Sequence, residues 1–261
     1  MHKKYFFFDI DGTLTVNDPV THKSTVPAST KRTLEKLREN GHFVSIATGR
    51  AHWMAMEVVD LVNIDNLVTD GGNGIVLNGE LVELLPLDHA RAAAICNQIH
   101  AMGRGVGVAL HDDNRLHCKN DRFAKDNPAF ASFINYIIDE NLDFDKEKNI
   151  YKIFLSITED EEKDFPILTT MPHMRYHPNN LMIEPSDKYS GIERVMNYLG
   201  APMEDVVVFG DGWNDVDMFS KAPLSIAMGN AVDKLQEMAD FVTKPVDKDG
   251  IEYACRHFGW I

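Results

Sequence analysis

Cysteine is scarce in this chain: Cys96, Cys118 and Cys255 are the only three in 261 residues, and no C-x-x-C spacing links them. That excludes a zinc site or disulfide framework legible from spacing, and fits a reducing, cytoplasmic setting. Positive charge is also in short supply, because 26 Lys and Arg face 40 Asp and Glu for a formal net charge of −14. With no basic patch, nucleic acid and anionic membrane are poor partners; a small anionic substrate remains open where a metal or local cluster overrides the overall field. Long apolar runs are missing as well. Met1 to Phe8 places basic residues before apolar ones as a signal peptide does, but Asp9 ends the run after four residues. Nothing elsewhere reaches membrane-spanning length, so a soluble cytosolic protein is expected. There is no internal repeat, no low-complexity segment, no G-x-G-x-x-G and no H-x-x-x-H pattern on one helix.

What is present is enough apolar residue, 44% of the chain, for one large core or a core with a satellite domain. The chain is organised around Tyr5 to Thr13, an all-apolar run that stops at two acids one residue apart. A strand buried on both faces reads this way when it delivers carboxylates to its C-terminal edge. Alternation starts Asp9 and Asp11 toward the same side, and Gly12 permits a tight turn that would hold the second acid over the first. Two carboxylates so placed need a cation, and a hard divalent ion with oxygen ligands, Mg²⁺ by preference, answers that need. Leu14 to Thr25, with Asn17-Asp18-Pro19, reads as a loop or small hairpin beside the acids.

Pro27 to Asn40 favours helix and His42 to Ala47 favours strand, so Thr48-Gly49-Arg50 should open at the same sheet edge as Asp9. A hydroxyl followed by Gly at a strand-to-helix turn suits phosphate. Gly71-Gly72-Asn73-Gly74 reads as a turn. From about residue 84 the pattern changes. A helix over Asp88 to Met102 precedes paired strands at Val106 to Leu110 and Leu116 to Cys118, then a second helix over Pro128 to Ile138. Strands follow at Tyr151 to Ile157, Arg175 to His177 and Leu181 to Glu184. This block contains no acid pair at a strand end and reads as a lid. Its histidines, His111, His117, His173 and His177, read as surface or packing residues; Arg115 and Lys119 read as a solvated face.

After Glu184 the α/β pattern resumes. Ser186 or Asp187 caps a helix through Lys188 and Leu199, and Val206 to Phe209 is a second apolar strand ending in acids, Gly210-Asp211-Gly212-Trp213-Asn214-Asp215. Alone, D-x-D is an acidic turn, T-G-R an ordinary turn and G-D-x-x-N-D a helix cap. Together they converge on one sheet edge, where Asp9, a carbonyl near Asp11, and Asp211 can assemble an oxygen site.

In order, Asp9-x-Asp11-Gly12-Thr13, Thr48-Gly49-Arg50, Lys188 and Gly210-Asp211-x-x-Asn214-Asp215 resemble the four motifs of the haloacid dehalogenase-like phosphatases. The stretches Ala227-Met228-Gly229-Asn230-Ala231 and Asp249-Gly250 are similar to its Cof-type subfamily, with a large α/β (type IIB) cap. The resemblance implies a doubly wound, parallel-sheet, Rossmann-like core in residues 1–83 and 185–261 and an inserted α+β cap in residues 84–184. It further implies Asp9 as nucleophile and Asp11 as acid and base. Thr48, Gly49, Lys188 and Asn214 would hold phosphate, Mg²⁺ would sit on Asp9, Asp11 and Asp211, and Asp215 would support the site. Two departures stand out: Tyr189-Ser190 separates Lys188 from Gly191, and the turn at Gly71 to Gly74 is unusually rich in glycine.

The expected activity is Mg²⁺-dependent hydrolysis of a small phosphorylated metabolite, a sugar phosphate in the first instance, through an aspartyl-phosphate. A phosphomutase using the same intermediate is the nearest alternative, although the Asn-x-Ser-Pro-x-Gly-Arg cap motif of the phosphomannomutases is absent. A metal-holding regulatory module without catalysis is the other. Oligomeric state is left open by the sequence.

Overall fold

The computed structural model describes residues 2–17 and 24–261. Strand β1 (Tyr5–Phe8) lies in the middle of an eight-stranded sheet, and its three phenylalanines show why its run is unbroken. Phe6 and Phe8 pack on one side with Leu34, Leu37, Ile46 and Val58, whereas Phe7 packs on the other with Ile192, Val195 and Met196. Both faces are covered, so both parities are apolar. Beyond Asp9 the short strands β2 (Val16–Asn17) and β3 (Ser24–Thr25) pair antiparallel. Asp18 and Pro19 of the expected loop lie outside the described residues.

Helix α1 (Ala28–Glu39) starts after Pro27 and leads into β4 (Phe43–Ala47), which pairs parallel with β1. Helix α2 (His52–Val62) and β5 (Leu67–Thr69) extend the parallel sheet outward, and β6 (Gly74–Leu77) turns back antiparallel to β5. Asn78 and Gly79, at φ 52° and 79°, make the two-residue turn to β7 (Glu80–Leu84) at the sheet edge, as expected of Asn-Gly.

The chain divides into two compact units, Met1–Glu83 with Asp187–Ile261, and Leu84–Ser186. The inserted unit contains α3 (His89–Ala101), capped by Asp88, whose Oδ1 accepts from the Arg91 N–H at 2.9 Å. It continues with β8 (Val106–Ala109), β9 (Arg115–Cys118), α4 (Arg122–Asp126) and β10 (Asn135–Ile138). Next come β11 (Lys152–Leu155), α5 (Glu159–Glu162), β12 (His173–His177) and β13 (Asn180–Ile183). Its six strands run in the order β10-β9-β8-β11-β13-β12, and Ile95, Cys96 and Ile99 of α3 pack on Val106, Val108, Ile153, Leu155 and Ile183. The helix expected over Pro128 to Ile138 is instead a single 3₁₀ turn, Pro128–Ser132, followed by β10, which pairs parallel with β9. Ile134 to Ile138 is β-branched and aromatic except at Asn135, and pairing to β9 with Tyr136 against Phe123 satisfies it as a strand.

The second half of the core returns with α6 (Lys188–Leu199), β14 (Val206–Gly210), α7 (Val216–Lys221), β15 (Leu224–Ala227), α8 (Asp233–Met238), β16 (Phe241–Val242) and α9 (Gly250–His257). The core sheet order is β16-β15-β14-β1-β4-β5-β6-β7, parallel from β16 through β5. Residues of α1, α2 and α9 join the Phe6 layer, and residues of α6, α7 and α8 join the Phe7 layer. The result is a doubly wound sheet. The chain leaves β1 toward β4 on one side and returns through β14 on the other, which makes the C-terminal end of β1 a topological switch point, the usual ligand position in such sheets. No described helix is long and apolar enough to cross a membrane.

Candidate active site

Asp9, Thr48 and Asp211 each follow the last residue of one of three adjacent parallel strands, β1, β4 and β14. Asp9 is held by its own N–H, which donates to Phe209 O at 3.0 Å, and its carboxylate is buried. Lys188 Nζ donates to Asp9 Oδ1 at 2.6 Å and to Asp215 Oδ1 at 2.7 Å, with only 1% of the lysine exposed. The other oxygen of Asp215, Oδ2, accepts from the N–H groups of Asp211 and Gly212 at 3.0 Å each. Asp215 thus ties the lysine to the loop that carries Asp211.

Lys188 reaches this place because the start of α6 is seated on the glycine-rich turn. Asp187 caps the helix, accepting from Ser190 N–H at 2.9 Å, and its own N–H donates to Gly71 O at 2.9 Å. A Cβ on Gly72 would fall 2.0 Å from Asp187 O, and one on Gly191 would fall 2.8 Å from Gly72 O. The two departures noted in the sequence therefore belong together: Gly72 and Gly191 let the turn and the helix start touch. Arg194 Nη2 also donates to Gly72 O.

Thr48 is buried, its N–H bonded to Val68 O at 2.9 Å and its Oγ1 accepting from Arg50 N–H at 3.1 Å. Gly49 sits in the bend after it, and Asn214 in the 3₁₀ turn Trp213–Asp215 that leads into α7. Asp11 goes elsewhere. Its carboxylate is gripped by Arg50, Nε to Oδ2 at 2.9 Å and Nη2 to Oδ1 at 2.6 Å. The expected position over Asp9 gives way to a bidentate ion pair, in which both oxygens gain a charge-assisted bond.

One carboxylate oxygen each from Asp9, Asp211 and Asp215 lies within 4.8 Å of the others, and Asp11 is outside this group. Burial, reinforced by Asp215 and Asp211, outweighs the attraction of Lys188 and pushes Asp9 up to about 8. Burial and then Asp215 push Asp211 up to about 7. Burial works against the charge of Lys188, but Asp215 and Asp9 more than offset it and hold the lysine above its ordinary range. Three acids sharing one lysine leave a surplus of negative charge, and an all-oxygen donor set fits a hard divalent cation such as Mg²⁺.

Residues 6–254 match the family model of the haloacid dehalogenase-like hydrolases. The chain belongs to this family. The putative phosphatase YkrA of Bacillus subtilis (strain 168) is 31% identical over 261 residues, covering 99% of both chains. A hypothetical protein of Geobacillus kaustophilus HTA426 superposes with a TM-score of 0.84 at 31% identity over the whole of both chains. The HAD subclass IIB sugar phosphatase BT4131 superposes at 0.77 with 30% identity, covering 99% of this chain and 100% of that one. The chain is accordingly a Cof-type, subclass IIB member of the haloacid dehalogenase-like family and a phosphoric monoester hydrolase, with a Rossmann-like core and an inserted cap domain.

Of the cap histidines, His173 and His177 have local polar partners. His173 Nε2 is 3.0 Å from Glu162 Oε1, and His177 Nδ1 accepts from Asn179 N–H at 3.2 Å. Arg115 is paired with Asp113. Arg50 is the residue that sequence reasoning passed over. Its signal was the third position of T-G-R, read only for its hydroxyl and glycine.

Proposed function

We propose that this phosphatase depends on Mg²⁺, works through an aspartyl-phosphate on Asp9, and acts on a small phosphorylated metabolite, with sugar phosphates the first class to test. The observation that carries the reading is the bridge from Lys188 Nζ to Asp9 and Asp215, fully buried beside Asp211. A lysine so placed favours the ionised nucleophile against its burial and offsets the charge of an arriving phosphoryl group. Asp9 and Asp211 would hold the cation with Asp215 alongside. Asp11, expected in the ligand set through a carbonyl near it, has its side chain on Arg50. Bound there, Mg²⁺ supplies positive charge against the phosphoryl oxygens.

The chain's own residues then divide the chemistry. An Asp9 oxygen attacks phosphorus and the bond from phosphorus to the leaving oxygen breaks, while Asp11, protonated, gives its proton to the departing alcohol. In the second half Asp11 takes a proton from the water that attacks phosphorus, releasing phosphate and restoring Asp9. To do either, Asp11 gives up one of its two bonds to Arg50. Thr48, Gly49, Lys188 and Asn214 hold the phosphoryl oxygens through the sequence. The sugar-phosphate class is supported by the sugar phosphatase activity named for BT4131. A cytoplasmic setting goes with Cys96, Cys118 and Cys255, all buried free thiols.

Phosphate release should be measured over a panel of phosphorylated sugars, nucleotides and cofactors, with Mg²⁺ and with EDTA. Release from sugar phosphates that EDTA abolishes is the expected result. Full activity in EDTA overturns the metal dependence, and isomerisation of a sugar phosphate without net release favours a mutase.

A further inference from the structure

The geometry points to Asn230 as a positioning residue for Asp211, one that sets how tightly the site holds its divalent cation. This rests on Asp211 being a ligand, as proposed above. Asn230 stands three residues after β15, in the loop where Met228 N–H donates to Gly210 O at 3.0 Å and Gly229 N–H to Lys244 O at 3.1 Å. That loop is moored to the end of β14, next to Asp211. The side-chain amide then spans three separate loops. Its Oδ1 accepts from Val246 N–H at 2.8 Å, and its Nδ2 donates to Gly12 O at 2.9 Å and to Asp211 Oδ2 at 3.3 Å.

The orientation of the amide is dictated by its partners. Reversed, it would set an oxygen against two acceptors and an NH₂ group against a donor, so only one of the two orientations satisfies all three contacts. The other oxygen of Asp211, Oδ1, accepts from Thr13 Oγ1 at 3.3 Å. Beneath it lies Gly12, at φ +80°, where a Cβ would fall 2.1 Å from Asp211 Oδ2. Asp211 is therefore clamped from both oxygens, with the backbone of the Asp9 loop against it and Asn230 linking the two. Since Asp9 and Asp211 come from strands about 200 residues apart in sequence, their relative placement depends on such a link. Partners that orient a ligating carboxylate raise metal affinity without touching the metal. Asn230 is exposed, so truncating it leaves no cavity, and packing is not its contribution.

The test is a Mg²⁺ titration of thermal unfolding, without substrate, on the full-length parent, Asn230→Ala and Asn230→Ser; the serine keeps a polar group too short to reach all three loops. Both variants should melt within a few degrees of the parent in EDTA and need about 10- to 100-fold more Mg²⁺ for half of the stabilisation. Phosphate release should fall at low Mg²⁺ and recover with excess, at unchanged KM for the sugar phosphate. An unchanged Mg²⁺ midpoint overturns the inference. So does a drop in metal-free melting with activity that excess Mg²⁺ does not restore, which would mark Asn230 as a scaffold residue. A parent whose melting ignores Mg²⁺ overturns the cation reading itself and this inference with it.

Discussion

Arg50 Nε and Nη2 hold the two carboxylate oxygens of Asp11 at 2.9 and 2.6 Å. A guanidinium fork fixes the plane of a carboxylate in a way an ammonium cannot, yet an acid and base needs an oxygen available for the proton. The pair therefore trades availability for orientation. Asp11→Asn should slow turnover by roughly 10²–10⁴, more for alkyl than for aryl phosphates, because only the poorer leaving group needs the proton. Arg50→Ala should lose less, Arg50→Lys should recover little of it, and in an Asp11→Asn background Arg50→Ala should cost almost nothing more. Steady-state kinetics on alkyl and aryl esters decide. Equal slowing of both esters by Asp11→Asn removes the acid role, and multiplicative losses in the double mutant remove the coupling.

Asp9 and Asp215 share Lys188 but differ in what else they hold, so their substitutions should separate chemistry from stability. Asp9→Asn is nearly isosteric and cannot form the aspartyl-phosphate, so phosphate release should vanish while the melting transition persists. Asp215→Ala removes a partner of Lys188 and the acceptor for two backbone N–H groups. Its expected cost is about 3–5 kcal/mol in urea unfolding, the scale for breaking a buried ion pair. A loss below about 1 kcal/mol would mean that the hub formed by Asp215 relaxes around water instead.

The acid cluster also sets a pH dependence whose sign is fixed. Asp9 is pushed up to about 8 and Asp211 to about 7, both above the ordinary carboxyl value of 3.8. Without metal the folded state then binds more protons than the unfolded one between these values. Its stability is fullest below about pH 4 as far as these two groups are concerned and is lost as pH rises toward 8. Mg²⁺ competes with those protons. The gap in melting temperature between Mg²⁺ and EDTA should therefore widen from pH 5 to pH 8.5, and narrow sharply in Asp211→Asn. A gap that stays flat over that range contradicts the cluster as the cation site.

Much of this core was legible because its signals are local. The run Phe6-Phe7-Phe8 is apolar at every position since both faces of β1 are covered, and the acids fall just past the strand ends, where parallel sheets expose them. The same logic placed Thr48. Side-chain hydrogen bonds to distant residues left no local trace: Arg50 lies 39 positions from Asp11, and Asn230 lies 218 from the Gly12 carbonyl it bonds. Asn78-Gly79 was a readable hairpin signal overlooked beside the louder glycine cluster before it. Pro128 to Ile138 was misread because a short apolar run carries no period that separates helix from strand; the partner strand β9 decided it.

The inserted unit is the place where we expect substrate discrimination to reside, because every group assigned to phosphoryl transfer belongs to the other unit. That other unit is also built to close without it. Glu83 Oε1 accepts from Arg194 Nε at 2.6 Å, and Asp187 is bonded to Gly71, so both chain ends at the junction are anchored to the seat of α6. The apolar residues of the inserted unit form a cluster of their own, from Leu87 to Ile183, and the core layers lose none of theirs when it is removed. Replacing residues 84–186 with a short flexible linker should thus yield a folded protein that still responds to Mg²⁺ and weakly hydrolyses an activated aryl phosphate. The kcat/KM for the best sugar phosphate should collapse, with a much smaller loss for the aryl ester, as when a lid that excludes water and reads the leaving group is taken away. If the excised protein folds and ranks its substrates as the parent does, discrimination lies in the core itself.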